Sequence, residues 1–287
     1  VILGGGRANF IPDTMADPED EGDMGGREDG VDLTATWIAK SDQNAFVWNT
    51  KDLMALDMAS GTKVLGLFEQ SHMEYEADRD SDTGGEPSIA EMTSMAIKRL
   101  SQNEQGYVLM VEGGRIDHAS HGGNAQRALY DTVAFNEAVQ AALDATSRED
   151  TLIVVTADHS HTLTINGYPD RGNPIFDIVR EGGEPALAAD GKPYTTLGYA
   201  NGPGALFPAL AEGAAEADAP MPRPDLTDVD TGSLDYLQQS LVPLGSETHA
   251  GDDVAVYGWG PMAHLLSGTI EQNVIYHVMA NALGFDK

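Results

Sequence analysis

Residues 107–121 read YVLMVEGGRIDHASH: an apolar run, two glycines, then a cluster of acids and histidines. The short apolar run predicts a buried strand over residues 107–111, with Glu112 at its carboxyl end. Asp117 and His121 follow four residues apart, so on a helical turn they share one face. Carboxylate and imidazole groups placed together are typical zinc ligands. For this stretch alone, a solvated polar turn before the next helix is an equally good interpretation.

Two further clusters repeat the arrangement of a strand next to acids and histidines. Residues 151–156 predict a β-branched strand that runs into ADHSH at residues 157–161. Residues 247–253 read ETHAGDD and precede an apolar run at residues 254–257. Open α/β sheets bind ligands beyond their strand ends. The three clusters together therefore predict one metal site at a sheet edge.

The order of predicted elements favours an α/β fold, with a central, mostly parallel sheet and helices on both faces. From about residue 168 to residue 247 glycine and proline become frequent, which predicts a loop-rich insertion before the chain returns to the sheet. The predicted strands are residues 1–6 with their exit loop, 45–48, 63–68, 107–111, 151–156 and 254–257, and the predicted helices are 32–40, 52–59, 88–101, 124–145 and 270–282.

The composition excludes several classes of partner. The 287 residues include 16 basic and 46 acidic side chains, for a net charge of −30. Such a surface argues against nucleic acid and anionic membranes as partners, because both need basic footprints. Solubility is the simplest explanation of this acidity, but it also favours a salt-rich or marine habitat, where screening relieves self-repulsion. No cysteine is present, so any metal ligands must be oxygen or nitrogen atoms.

The beginning of the chain predicts a longer polypeptide. Residues 1–6 read VILGGG, a strand and its exit loop with nothing before them. We therefore expect further chain upstream, which can carry targeting signals. No apolar run reaches 18 residues, the length expected of a membrane-spanning helix.

An acidic loop over residues 69–87 offers many hard oxygen ligands of the kind that calcium prefers. It lacks the spacing of an EF-hand. A solvated acidic loop is the commoner interpretation of such a composition.

Several motifs together resemble one family, the alkaline phosphatases, and its animal-type and marine branch more closely than its enteric bacterial branch. The resemblance extends over nearly the whole chain, to about Phe285. Its motifs are VILGGGR at residues 1–7, VEGGRIDH at 111–118, TADHSH at 156–161, ETHAG at 247–251 and GPMAHL at 260–265.

The resemblance implies a set of metal ligands. Asp117, His121 and His249 correspond to the ligands of a first zinc, Asp158 and His159 to ligands of a second zinc, and Glu112 to a magnesium ligand. His118 corresponds to a catalytic histidine that acts near the phosphate through water. His161 and His264 match no metal position in the family, so we interpret them as structural.

The resemblance also bears on the acidic loop. Phe68 (through its carbonyl), Glu69 and Glu86 occupy positions like those of the animal-type calcium site. Glu86 stands where the family has an aspartate, and the spacing is about one residue longer.

The family hydrolyses phosphate monoesters through a phosphoserine, and the resemblance implies that this serine lies in a missing N-terminal segment of the same enzyme. It further implies a homodimer, a periplasmic or secreted location, and a crown-like insertion at residues 194–247 between α/β core segments at 1–193 and 248–287. Two alternatives remain open. One is a related metal-dependent phosphodiesterase or sulfatase, and the other is a non-catalytic, metal-binding truncation.

Overall fold

A computed structural model describes residues 1–20, 22–205 and 223–285. Its α-helices are α1 (Leu33–Ala39), α2 (Thr50–Ala55), α3 (Ile89–Leu100), α4 (Gly114–His121), α5 (Ala125–Ala145) and α6 (Val274–Ala282). Its strands are β1 (Ile2–Gly4), β2 (Asn44–Val47), β3 (Lys63–Leu67), β4 (Ile153–Val155), β5 (Ser160–His161), β6 (Leu163–Ile165), β7 (Arg180–Glu181), β8 (Glu184–Pro185), β9 (Leu197–Gly202), β10 (Ser240–Pro243), β11 (His249–Ala250) and β12 (Tyr257–Trp259). Within the described ranges, no helix has both the length and the apolar character needed to cross a bilayer.

The chain divides into two compact units. The first comprises Val1–Gly113, Asp131–Val155 and Val256–Lys287, and the second comprises Gly114–Tyr130 and Thr156–Ala255. The boundaries expected from sequence, at residues 193/194 and 247/248, stay a prediction. Part of the expected crown-like insertion, residues 206–222, lies outside the described residues.

In the first unit, β3 is the centre of a parallel sheet with the order β1-β3-β2. The hydrophobic core next to it combines side chains from β2, α2, β3 and α3. Its buried members are Val47, Leu53, Met58, Val64, Phe68 and Met95. The methionines fill this core, as the helical spacing of Met92 and Met95 predicts.

Two helices of the first unit begin where the sequence predicts, because their N-cap side chains satisfy free backbone N–H groups. The Asp32 carboxylate accepts from the N–H groups of Thr34 and Ala35 at the start of α1. Ser88 and Glu91 form a reciprocal capping box at the start of α3.

In the second unit, β9 lies between β10, which is parallel to it, and β6, which is antiparallel. Two short antiparallel ladders, β5 with β11 and β7 with β8, complete the strand pairing. The ladder of β5 and β11 positions the metal cluster.

The α/β character is confirmed, but the sheet arrangement differs from the expected single sheet. The described strands form five separate sheets, and β4 pairs antiparallel with β12. The last predicted strand is displaced: residues 254–256 are irregular, and pairing begins at Tyr257.

Residues 107–111 are not a strand, which corrects the expectation of a buried one. The segment has no regular secondary structure, and exposure alternates along it, with Val108 69% and Met110 84% exposed. Ladder hydrogen bonds require a neighbouring strand, and none among the described residues pairs with this segment. Likewise, β1 forms as expected, but Ile2 is 62% exposed rather than buried.

Candidate metal centre

Helix α4 places two of the predicted ligands on one face. Asp117 and His121 are one turn apart, and Asp117 Oδ2 lies 3.5 Å from His121 Nε2. The helix ends directly after His121, where Gly123 adopts a positive φ of 69°. A left-handed glycine is a common way to end a helix, so the glycines that follow the motif fix where its last histidine lies.

The ladder between β5 and β11 brings the distant clusters together. His249 is the direct antiparallel partner of His161, and Ala250 is the partner of Ser160. The His159 ring stacks on the His249 ring with centroids 3.5 Å apart and planes 17° apart. Backbone pairing therefore sets the positions of His161 and His249, and His159 stacks on the second of these.

Asp117 lies at the point where these side chains converge. Its Oδ1 is 2.9 Å from His161 Nε2, 3.4 Å from His249 Nε2 and 3.8 Å from His159 Nε2. Ligand atoms of Asp117, His159, His161 and His249 all lie within 4.8 Å of one another. This geometry could hold a metal ion.

The distances around Asp117 can be compared with the spacing of zinc ligands and with hydrogen-bond lengths. A zinc ion bound tetrahedrally to nitrogen and oxygen atoms at about 2.0–2.1 Å holds those atoms about 3.3–3.4 Å apart. His121 Nε2 and His249 Nε2 are 3.1 Å apart, and each lies 3.4 to 3.5 Å from an oxygen of Asp117. The two distances to Asp117 fit the edges of a zinc coordination shell. The 3.1 Å contact between the two histidines and the 2.9 Å contact from His161 to Asp117 are hydrogen-bond distances.

The electrostatic setting of Asp117 favours its charged form. Burial alone would raise the pKa of this carboxyl group, but the hydrogen bond with His161 and the charges of the surrounding histidines outweigh it. The pKa of Asp117 therefore lies below its ordinary value of 3.8. A deprotonated carboxylate is the form that binds a metal.

His161 and Glu247 are the functional candidates that sequence reasoning missed. His161 contacts Asp117 through Nε2 and Glu247 Oε2 through Nδ1, at 2.9 and 2.6 Å. Alternate residues of an extended segment face the same side. The spacing of His159 and His161 was thus an available signal.

The remaining predicted residues lie as follows. Asp158 is 83% exposed, and its Oδ2 is 3.4 Å from His159 Nε2. On α4, His118 Nδ1 is 3.3 Å from Arg115 Nη1. Glu112 is exposed and belongs to the first unit. In the sequence it lies two residues before Gly114, the first residue of α4. His264 lies in a short 3₁₀ helix, Ala263–Leu265, also in the first unit.

An acidic cluster in the first unit contains part of the expected calcium site. Oxygen atoms of Glu19, Glu69 and Asp82 lie within 4.8 Å of one another. They line a cavity of about 280 Å³ together with Arg7. Glu86 is 4% exposed; its N–H donates to Asp82 Oδ2, and its Oε2 accepts from the N–H of Glu74. Phe68, which follows β3 directly, is 1% exposed.

Burial and the crowding of carboxylates raise the pKa values of two carboxyl groups in this region. Burial raises the pKa of Glu86 to about 8, and the charges of Glu69 and Asp82 act in the same direction. Burial also raises the pKa of Glu19 to about 7, assisted by its hydrogen bond with Asp82. Neighbouring carboxyl groups that resist ionisation are the setting in which a bound cation relieves repulsion.

One buried cation is already part of this region. Arg7 is 1% exposed and donates to both oxygens of Asp17, at 2.8 and 2.7 Å, and to Glu19 at 2.6 Å. A further bond of 2.8 Å runs to the carbonyl of Leu67, the last residue of β3. Arg7 therefore joins the acidic loops to the parallel sheet.

Comparison with known proteins bears on the whole chain. A family model described as alkaline phosphatase matches residues 1–285. The chain is 44% identical to the tissue-nonspecific isozyme of alkaline phosphatase from Rattus norvegicus over 289 residues, which cover 98% of this chain and 52% of the relative. It is 42% identical to an alkaline phosphatase from Gadus morhua over 287 residues, which cover 98% of this chain and 57% of the relative.

Among solved structures, alkaline phosphatase from the Antarctic bacterium TAB5 is similar with a TM-score of 0.57 at 19% identity, over 98% of this chain and 59% of the other. That likeness bears on the fold alone. The chain spans about half the length of the curated relatives it matches.

Proposed function

Since the chain belongs to the alkaline phosphatase family, we propose that the protein it forms part of hydrolyses phosphate monoesters at a metal centre. The observation that carries the proposal is the triangle formed by Asp117, His121 and His249. His121 Nε2 and His249 Nε2 lie 3.1 Å apart, and they lie 3.5 and 3.4 Å from Oδ2 and Oδ1 of Asp117, respectively. These distances are close to the spacing of ligand atoms around a bound zinc ion.

We assign the metals to residues as follows. Asp117, His121 and His249 hold the first zinc, Asp158 and His159 contribute to a second zinc, and Glu112 contributes to a magnesium site. When bound, a pair of such ions stabilises the entering and leaving oxygens of an in-line phosphoryl displacement.

The chain's own side chains contribute orientation and charge. The lowered pKa of Asp117 keeps its carboxylate available without a proton having to leave at neutral pH. Hydrogen bonds at Nδ1 of His121 and His161 fix the ring planes, so that their Nε2 atoms point towards Asp117. We assign His118 a catalytic role at the phosphate through water, with Arg115 holding its ring. The nucleophilic serine is assigned to an N-terminal segment of the same enzyme.

A calcium ion is proposed for the acidic cluster of the first unit. The expected ligands are Phe68 through its carbonyl, Glu69 and Glu86. The positions of Glu19 and Asp82 beside Glu69 support adding them to this set. Carboxylate and carbonyl oxygens are the ligands that calcium prefers.

The wider setting of the enzyme is proposed from the same family membership. We infer a homodimer with a crown-like insertion at residues 194–247, in a periplasmic or secreted location. Family membership supports small phosphate monoesters as the substrate class, and the net charge of −30 argues against nucleic acid. This charge also supports adaptation to a salt-rich habitat.

The test is hydrolysis of a chromogenic phosphate monoester at alkaline pH by the full-length protein, with and without a chelator. We expect turnover that the chelator abolishes and that zinc with magnesium restores. His249→Ala should remove one zinc per chain and nearly all turnover, whereas His264→Ala should retain both. A phosphate diester and a sulfate ester are assayed in parallel. Faster hydrolysis of either, or full zinc content in His249→Ala, would refute the assignment.

A further inference from the structure

Among the described residues of the second unit, Glu247 is the most deeply buried acid, and the zinc and magnesium assignments above do not use it. The residue is 1% exposed, and its side chain is 0% exposed. An unpaired carboxylate at such a site would carry a large desolvation penalty. Hydrogen-bond partners must therefore offset the desolvation penalty of this carboxylate.

The side-chain oxygens of Glu247 are fully engaged by two consecutive residues. Oε1 accepts from both the N–H and the Oγ1–H of Thr162, each at 2.6 Å. Oε2 accepts from Nδ1 of His161 at 2.6 Å. A carboxylate can only accept, so Nδ1 of His161 must carry the hydrogen. The contact fixes the ring plane and directs Nε2 to Asp117 Oδ1, 2.9 Å away.

The backbone of Glu247 holds a second histidine. Its N–H donates to the carbonyl of His121 at 2.8 Å, and its own carbonyl accepts from His121 Nδ1 at 2.5 Å. A carbonyl also only accepts, so the lone pair of His121 is left on Nε2, the atom that lies 3.1 Å from His249 Nε2. His249 itself follows Glu247 by two residues and pairs with His161 in the ladder.

We propose that Glu247 is a positioning residue of the first zinc site, whose carboxylate acts through His161 on Asp117. This inference rests on the proposed metal-dependent function. Atoms of His121, His161 and Glu247 lie close enough together to form a metal group. We nevertheless assign Glu247 a positioning role, because its oxygens already accept three hydrogen bonds and its side chain has no exposed surface. Hydrogen-bonding partners that orient metal ligands change metal affinity by about 10- to 100-fold when they are removed.

The decisive variant is Glu247→Gln. Its amide oxygen can still accept from Thr162, but its NH₂ group then faces His161 Nδ1 and requires that nitrogen to accept. We therefore expect ¹⁵N-histidine NMR to show a protonated Nδ1 on His161 in the wild-type protein and an unprotonated one in the variant. Zinc affinity, measured by competition with a chromophoric chelator, should fall about 10- to 100-fold. Glu184→Gln makes the same chemical change at an exposed residue of the same unit and should change neither readout.

A double-mutant cycle separates this role from a merely structural one. In His161→Asn the amide reaches Glu247 but is too short to contact Asp117. If Glu247 acts through His161, adding Glu247→Gln to this variant should weaken zinc binding by less than threefold more. Full additivity of the two losses would overturn the proposal, as would a protonated Nδ1 on His161 in Glu247→Gln.

A substitute variant and a separate hydrolysis assay complete the test. If circular dichroism shows that Glu247→Gln does not fold, Thr162→Val takes its place. That change removes the hydroxyl hydrogen bond to Glu247 Oε1 without adding an amide. Unchanged zinc affinity in Thr162→Val would then overturn the inference. Hydrolysis is measured separately. A wild-type protein that binds zinc without hydrolysing phosphate esters would refute the proposed function and leave the two Glu247 readouts intact.

Discussion

Glu86 provides the sharpest test of the electrostatics of the acidic cluster. Its carboxyl group is 4% exposed and lies next to Glu69 and Asp82. Burial, reinforced by those charges, raises its pKa from an ordinary 4.5 to about 8, although a hydrogen bond from the N–H of Glu74 opposes the shift. The folded protein therefore retains a proton on Glu86 that the unfolded chain loses near pH 4.5.

The sign of the effect follows from proton linkage. Between pH 4.5 and 8 the folded state binds more protons at Glu86 than the unfolded state does, so stability falls as pH rises. At about 1.36 kcal/mol per pH unit, the difference between 4.5 and about 8 sets a ceiling of about 5 kcal/mol. Relaxation and water entry reduce such values, so we expect a loss of roughly 2–3 kcal/mol.

Glu86→Gln removes the charge with little change in shape. In metal-free buffer with a chelator, urea unfolding should show equal stability of variant and wild type at pH 5. At pH 9 the variant should be more stable by roughly 2–3 kcal/mol. Glu104→Gln, at an exposed position in the same unit, should track the wild type at both pH values. A Glu86→Gln protein that gains nothing between pH 5 and pH 9 would refute the reasoning.

Calcium should reverse the comparison. A bound cation favours the ionised carboxylate, so millimolar calcium should stabilise the wild type at pH 9 more than Glu86→Gln. Equal stabilisation of both proteins would count against Glu86 as a ligand.

Three further predictions use the free energy of unfolding as their measurement. Arg7→Met leaves the Asp17 carboxylate buried without its partner and should cost about 3–5 kcal/mol. Arg27→Met breaks a more exposed pair together with bonds to the carbonyls of Val31 and Asn9, and should cost less than Arg7→Met. Equal costs would contradict the burial argument. Ser88→Ala removes the capping box of α3 and should cost about 1 kcal/mol, while Ser94→Ala, inside the helix and exposed, should slightly stabilise it. Raising sodium chloride from 0.1 to 1 M shortens the Debye length from about 10 to about 3 Å and should raise the unfolding temperature, given the net charge of −30; a decrease would mean that attractive ion pairs dominate.

Local pattern was sufficient for α1, α3 and α5 and for the spacing of the first ligand pair. Helix α4 is absent from the predicted helices, α2 ends at Ala55 rather than at residue 59, and α6 begins at Val274 rather than at residue 270. The helical spacing of Met92 and Met95, together with the cap at Ser88, predicts α3 within one residue of its bounds. Asp117 and His121 lie on one face of α4 because the i, i+4 spacing is itself a property of the helix.

Contacts between distant parts of the chain account for the site residues that the sequence did not predict. His161 matches no metal position in the family, and the sequence does not reveal its contacts with Asp117 and Glu247. Those contacts depend on the ladder between β5 and β11, which joins distant parts of the chain. The same reason applies to Glu19, whose neighbour Asp82 in the acidic cluster comes from another loop.

The apolar run at residues 107–111 is a segment for which local hydrophobicity predicts a buried strand that does not form. Hydrophobic residues predict that a segment prefers burial, but burial of a strand depends on a partner strand that the segment itself does not encode. Val108 and Met110 are accordingly exposed in an irregular stretch that pairs with no described strand.

The bond from the Thr162 N–H to Glu247 closes the intervening chain into a loop whose two ends are fixed at the histidine cluster. Because the entropic cost of closing a flexible loop grows only slowly with its length, insertions at an exposed turn of this segment are tolerated at little expense. Gly182 and Gly183, exposed at the turn between β7 and β8, lie well within it. Evolution can therefore lengthen, shorten or decorate this segment while His161 and His249 keep their register, and a protein engineer can graft a reporter or affinity segment at that turn.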